Sequence, residues 1–200
     1  MYSQNNEEQI AVEFFGSFVG RVLDVGAFDG IEMSNSRALI ERGWSAVLVE
    51  PACHNMEKLI FNNAKFSDRV ILVQAAVAST SGISRLYMDM VPDRRWSTTI
   101  NKDLVDFGSV MKVNPLQVYV PTIRLDDLIQ FGPYHFISID AEWEDMEILK
   151  KMPTLLLEQC RLICMESRNT EERTRMRAIL SELGFSTLHE TPENLMVSRN

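Results

Sequence analysis

Carboxylates stand at the ends of apolar runs along this chain, and their placement is the first sign of chemistry. Val22-Leu23-Asp24-Val25 leads into Gly26-Ala27-Phe28-Asp29-Gly30, and Val47-Leu48-Val49 leads into Glu50-Pro51. Further on, His135 to Ile139 ends at Asp140 and Glu142, and Arg161 to Met165 ends at Glu166. A strand that closes on a glycine-bearing turn, followed by a strand that closes on an acid, is how a parallel α/β unit builds a nucleoside pocket. The turn lets backbone approach the ligand, and an acid at Glu50 can take two ribose hydroxyls. Ligands of open α/β sheets sit outside the carboxyl ends of the strands, where strand order reverses. The chemistry is therefore expected at Asp24 to Gly30, Glu50 and Pro51, Gln74 to Ala76, Asp140 to Glu142, and Glu166.

The turn itself narrows the nucleotide. A dinucleotide fingerprint needs G-x-G-x-x-G, and here Gly26 and Gly30 flank Ala27-Phe28-Asp29, so the glycine that admits a pyrophosphate is missing. Asp29 adds negative charge near a helix N-terminus, where a diphosphate would otherwise bind. S-adenosylmethionine suits such a turn, having a sulfonium, an α-ammonium and a ribose but no phosphate. The phosphate loop of ATP-dependent kinases is absent. An NAD-type oxidoreductase is the alternative that Glu50 would serve and the missing glycine would not. A non-catalytic binding protein that keeps the cofactor fold is a third reading, raised by Phe28 and Trp143.

The elements that must position these residues alternate. Asn5 to Phe15 reads as a helix, making residues 1–20 a helical extension. Ser34-Asn35-Ser36 offers caps for a helix through Arg42 that Gly43 stops, and Pro51 opens another carrying Met56, Leu59 and Ile60. Val70 to Val73 is a third strand, and Leu125 to Ile129 a short helix. Helices are expected over Glu144–Lys151 and Thr170–Leu183, with Phe185 to Leu188 and Leu195 to Val197 forming an antiparallel hairpin around Pro192. Strands alternating with helices give an α/β fold, a doubly wound, mostly parallel sheet with a C-terminal hairpin, as one domain over 1–200. From Val91 to Pro115 no period holds. That stretch, with Arg94, Arg95, Trp96, Ser97, Thr98 and Thr99, reads as a functional loop or lid.

Composition bounds the partners. With 200 residues, 46% of them apolar, the chain can bury a substantial core. A formal charge of −8 repels phosphate backbones, so nucleic acid is not the expected substrate. Three cysteines, Cys53, Cys160 and Cys164, cannot all pair and show no CxxC spacing, which points to buried thiols in a reducing compartment. No apolar run approaches ~20 residues. A polar, acidic start offers no signal peptide, and the expectation is a cytoplasmic protein without a membrane partner.

The stretches LDVGAFDG with the later SNS, then VLVEP, QAAVAS, RLDDL and ISIDAEWEDMEIL run in an order and spacing that resemble the FkbM-type S-adenosylmethionine-dependent methyltransferases, from about residue 21 to 166. The resemblance implies a seven-stranded Rossmann-like sheet of the class I methyltransferase type. It also implies methylation of hydroxyl oxygens on a sugar or small-metabolite acceptor. On it, Gly26, Ala27, Phe28, Asp29 and Gly30 wrap the methionine portion, Asp24 orders the loop, and Glu50 beside Pro51 binds the ribose hydroxyls. Gln74, Ala75 and Ala76 edge the adenine, and Asp140 lies where the sulfonium methyl would point. Ser34 and Asn35 have two open roles, bonding the cofactor carboxylate or capping their own helix. The family turn reads G-A-N-D-G where this chain has Phe28 for the Asn. After the fourth strand it reads D-x-E-G-x-E, where this chain has Trp143 for the Gly and Asp145 for the second Glu. Trp143 either walls the acceptor pocket or packs on the sheet. Methyl transfer to oxygen needs a base, for which Asp140 or Glu142 is expected, and Asp140, Glu142 and Glu166 together could hold Mg²⁺.

Overall fold

Alternation along short apolar strands sets the two faces of the main sheet. The computed structural model describes residues 1–88, 98–100 and 116–199. Its larger sheet has seven strands: β1 (Arg21–Val25), β2 (Ser45–Val49), β3 (Val70–Val73), β8 (Phe136–Ile139), β9 (Leu162–Glu166), β10 (Ser186–Glu190) and β11 (Asn194–Ser198). Their order is β10-β11-β9-β8-β1-β2-β3, parallel except for β11, which runs antiparallel to both β9 and β10. The chain winds outward from β1 to β3, returns to β8, and winds outward the other way. The reversal falls between β1 and β8, so a crevice opens at their carboxyl ends.

Successive side chains of a strand point to opposite faces. Val22, Ala46, Leu48, Phe136, Leu162 and Met196 pack one face, under α1 (Glu7–Phe15), α2 (Arg37–Glu41) and α3 (Cys53–Asn63). Leu23, Val25, Val47, Ile137, Ile163 and Val197 pack the other, under α4 (Asp145–Lys150), α5 (Thr154–Leu157) and α6 (Thr170–Glu182). At the amino ends of the strands, Trp44 is fully buried edge-on to Phe15, its Nε1 donating to the Phe18 carbonyl. The fold class matches the expectation. Helix ends differ in detail: α3 begins at Cys53 after Ala52 rather than at Pro51, and residues 125–131 form a 3-10 helix.

A second sheet is not expected from the sequence, although two of its strands contain the short extended runs, residues 85–88 and 118–123, that the sequence offers. β4 (Ala76–Val77), β5 (Gly82–Met88), β6 (Thr98–Thr99) and β7 (Leu116–Ile123) pair in the order β4-β7-β5-β6. Thr98 and Thr99, expected in a structureless loop, are therefore a strand against Met88 and Tyr87. Arg94, Arg95, Trp96 and Ser97 lie outside the described residues. All three cysteines are free, with Cys160 and Cys164 buried and Cys53 exposed. Among the described residues no helix is long and apolar enough to cross a membrane.

Candidate active site

A cavity of about 400 Å³ lies at the switch point, between the carboxyl ends of β1, β2 and β8 and the inner face of the second sheet. Asp24, Gly26, Ala27, Phe28, Ser34 and Asn35 line it from the first α/β unit, Glu50 and Pro51 from the second. Ala75 and Ala76 line it from beyond β3, Asp140 and Glu142 from beyond β8, and Glu166 from the end of β9. Gln74 is exposed and, like Asp29 and Gly30, stands outside the lining.

The turn after β1 is built by close backbone approach. The N–H groups of Gly26 and Ala27 both donate to the Val49 carbonyl, at 2.9 and 3.0 Å, and Asp140 N donates to the Val25 carbonyl at 3.0 Å. Gly26 sits at φ +80°, and a Cβ there would fall 1.9 Å from the Asp140 carbonyl oxygen. Only glycine fits. The Asp29 carboxylate does not face the ligand space; it accepts from Ile31 N and Glu32 N, both at 2.8 Å, and folds the turn on itself.

Register places Asp24 beside Ser138 and Ser138 beside Cys164 on one face of the sheet. The Asp24 carboxylate accepts from Ser36 Oγ, and Asn35 Nδ2 donates to Ser138 Oγ at 3.1 Å. Ser34 Oγ accepts from Arg37 N at 3.1 Å, the capping role open to it, while the residue still borders the cavity. Glu50 is held hard: Oε2 accepts from Phe28 N at 3.0 Å, and Oε1 accepts from Ala52 N at 2.9 Å and Asn55 Nδ2 at 3.2 Å.

The loop after β8 is tied by Asp145, whose carboxylate accepts from Ala141 N at 3.0 Å and Trp143 N at 3.3 Å. Thr99 Oγ1 donates to the Glu142 carbonyl at 2.8 Å and joins the second sheet to this loop. Arg168, paired with Glu172, lies 4.7 Å from the Trp143 ring centroid, so Trp143 both lines the cavity and packs against a cation.

So many acids in one crevice cannot all ionise readily. Burial pushes Asp24 and Glu50 up to about 7 and Asp145 up to about 8, with the Asp140 charge adding to each. Asp140 is reached by solvent through the cavity, but the surrounding walls raise it as well, and Glu142 is raised by its enclosure and by the charges of Asp140, Asp145 and Glu50. Glu166 is raised by burial and by Asp140; it keeps its proton and donates to Asp140, which stays the more acidic of the two. Among the described residues no three His, Cys, Asp or Glu side chains are arranged to hold a metal ion, so the Mg²⁺ expectation for Asp140, Glu142 and Glu166 finds no support. His135 is at the amino end of β8, its Nδ1 accepting from Arg21 N, and His189 is exposed.

Sequence reasoning offers no functional sign of Asn55, Gln4 or Glu193, and of Asp145 only that it departs from the family pattern. Asn55 sits beside Met56 in α3, where the apolar period hides it. Gln4 and Glu193 reach the cavity because Asn5 Nδ2 donates to Glu193 Oε2 at 2.8 Å, and Asn194 Nδ2 to Glu7 Oε1 at 2.8 Å. Two of the three departures from the family pattern fall at positions of positive φ. Phe28 lies at φ +50° and Trp143 at φ +85°, a region that costs a residue with a side chain about 1–2 kcal/mol and that asparagine and glycine tolerate. Phe28→Asn is expected to stabilise the protein by about 1 kcal/mol, raising Tm by roughly 2–4 °C. A fall in Tm on thermal unfolding would show instead that the ring, 5.9 Å from Lys58 Nζ, contributes more than the backbone strain costs.

Comparison with known proteins places this geometry. The model of the methyltransferase FkbM domain matches residues 24–187. The methyltransferase FkbM of Methylobacillus flagellatus KT superposes with a TM-score of 0.58 at 16% identity, over 90% of this chain and 44% of that one. This chain thus spans less than half the length of that relative. The ribosomal protein L11 methylase of Lactobacillus delbrueckii subsp. bulgaricus gives a TM-score of 0.53 at 12% identity, over 97% and 77%. The N-terminal domain of human METTL16 in complex with SAH gives 0.52 at 14%, over 96% and 67%. At these identities the structures show a shared fold. No protein of curated function matches in sequence. Nothing in these likenesses supports an NAD-type oxidoreductase, and the family model covers most of the chain: it belongs to the FkbM methyltransferase family.

Proposed function

We propose that this chain transfers a methyl group from S-adenosylmethionine to a hydroxyl oxygen of a sugar or other small metabolite. The observation that carries the reading is the switch-point cavity, with Glu50 beyond β2 on one side of β1 and Asp140 and Glu142 beyond β8 on the other. The residues fit that cofactor. Asn55 Oδ1 is a buried acceptor without a partner, suited to a hydroxyl donor, and the crowded carboxylates suit a ligand bearing an ammonium and a sulfonium. When bound, S-adenosylmethionine supplies an electrophilic methyl group.

The chain's own residues do the rest. Asp140 takes the proton from the acceptor hydroxyl, because its hydrogen bond from protonated Glu166 leaves it the more readily ionised of the pair. Glu142, ringed by the charges of Asp140, Asp145 and Glu50, keeps its proton longer and is less suited to be the base. Val77 and Leu86 of the second sheet form an apolar wall that limits water in the cavity, and positioning supplies much of the rate. Acids around the acceptor position and a net charge of −8 favour a neutral acceptor over a phosphate-bearing one.

The test begins with thermal shift against S-adenosylhomocysteine and NADH, where only a true ligand stabilises by mass action. Absence of any shift with S-adenosylhomocysteine would remove the cofactor reading. Products from a panel of sugars, small alcohols, amines and RNA, followed by mass spectrometry, then decide the acceptor; methylated amine or RNA alone would overturn O-methylation. Asp140→Asn is expected to retain S-adenosylhomocysteine binding and lose about 10²- to 10⁴-fold in turnover, and full activity in it would refute the base.

A further inference from the structure

Hydrogen-bond counting at Glu50 leaves it short of acceptors for a vicinal diol. An ionised carboxylate offers about four lone-pair positions. Three are occupied here: one on Oε2 by Phe28 N–H, and both on Oε1 by Ala52 N–H and the Asn55 amide. One position remains, on Oε2, while a diol brings two hydroxyl donors. Next to it is the missing acceptor. Asn55 is 1% exposed, it lines the cavity, and its Oδ1 has no hydrogen-bond partner. A buried acceptor left unpaired is costly, so the folded protein keeps this atom for something that the cavity receives.

The amide orientation is fixed by its surroundings. Turning it over would set Oδ1 against Glu50 Oε1, two acceptors facing each other, and would lose the 3.2 Å bond from Nδ2. Position is fixed too, because Asn55 N donates to the Ala52 carbonyl in the first turn of α3, five residues after Glu50. We infer that Asn55 Oδ1 and Glu50 Oε2 divide the ribose diol, each accepting from one of the two hydroxyls. This rests on the S-adenosylmethionine reading and sharpens it: Asn55 is a specificity-determining residue that distinguishes a ribonucleoside from its deoxy counterparts.

The experiment is calorimetric titration of S-adenosylhomocysteine and its 2′-deoxy and 3′-deoxy analogues into the wild-type protein, Asn55→Ala, Asn55→Asp and Glu50→Gln. Asn55→Ala is expected to weaken S-adenosylhomocysteine binding about tenfold. Against one deoxy analogue the Asn55→Ala loss should shrink most, and against the other the Glu50→Gln loss, each keeping some cost from the Glu50 bond it disturbs. Asn55→Asp keeps the cavity-side acceptor but sets a carboxylate oxygen in place of Nδ2 against Glu50 Oε1, so it should regain sensitivity to both hydroxyls only below about pH 7, where the pair holds a proton. If both losses shrink on the same analogue, Asn55 acts only by orienting Glu50 and the inference fails. It also fails if Asn55→Ala binds S-adenosylhomocysteine as wild type does. A wild-type protein that binds none of the three ligands overturns the cofactor reading itself, a different result from either.

Discussion

Gly26→Ala is expected to abolish binding of S-adenosylhomocysteine, with affinity falling at least ~100-fold, because the added carbon has nowhere to go. A Cβ at this position lies 1.9 Å from the Asp140 carbonyl oxygen and 3.0 Å from its carbon, both backbone atoms, so no rotamer change relieves the contact. The φ of +80° adds left-handed strain of about 1–2 kcal/mol. Either the turn after β1 or the loop after β8 must move, and together they form the floor of the cavity and carry Ala27, Phe28, Asp140 and Glu142. Movement of the turn also disturbs the bonds from Gly26 and Ala27 to Val49, on the strand that leads to Glu50. Gly43 provides the control. It too has positive φ, at +98°, but a Cβ there meets nothing within 4 Å, so Gly43→Ala carries strain without a clash. Thermal unfolding should show both variants less stable, and calorimetry should show only Gly26→Ala without ligand binding. Wild-type affinity in Gly26→Ala would mean that the turn does not shape the ligand site.

What the sequence disclosed and what it concealed divide along the range of the interactions. Strands that end in Glu166 or, one residue on, at Asp140 and Glu50 are legible because a short apolar run and a terminal acid are local patterns. The hairpin of β10 and β11 is legible for the same reason, its partners being close in sequence. The second sheet is not, since Ala76 and Val77 pair with Thr122 and Ile123 across a long insertion, and β5 and β7 each leave one face to solvent at Ile83 and Tyr119. Within the site, residue type was readable but side-chain direction was not. Asp29 promised charge near the ligand and instead closes its own turn. Asp145, noticed only as a departure from a family pattern, ties the loop that presents Glu142. Phe28 and Trp143, the other departures, both occupy positive φ, and Phe28 serves Glu50 through its backbone N–H, which any residue but proline would supply.

The carboxylate crevice should make the ligand-free protein lose stability as pH rises, the reverse of ordinary acid denaturation. Burial, with the charge of Asp140, lifts Asp24 and Glu50 to about 7 and Asp145 to about 8, while unfolded aspartate and glutamate titrate near 4. Above about 4 the folded state binds more protons than the unfolded state, so unfolding free energy declines with increasing pH; these three acids stop adding to the decline above about 8, and Glu166, raised to about 10, carries it further. At pH 7 the folded protein keeps about half a proton on each of Asp24 and Glu50 and most of one on Asp145, so these three acids set a slope of about two protons per molecule. A ligand reverses the sign. Hydroxyls donating to Glu50 and an ammonium among the acids both favour ionised carboxylates, so binding releases protons and affinity rises through the same window. Tm measured from pH 5 to 8.5 should therefore fall without ligand, and the Tm increase from saturating S-adenosylhomocysteine should grow toward the alkaline end. Asp145→Asn removes one of the buried acids and should flatten the ligand-free slope. A ligand-free profile that rises from pH 5 to 8 would show that these carboxylates are ionised and compensated in the folded protein. The crevice would then have to be neutralised by groups other than a bound cation.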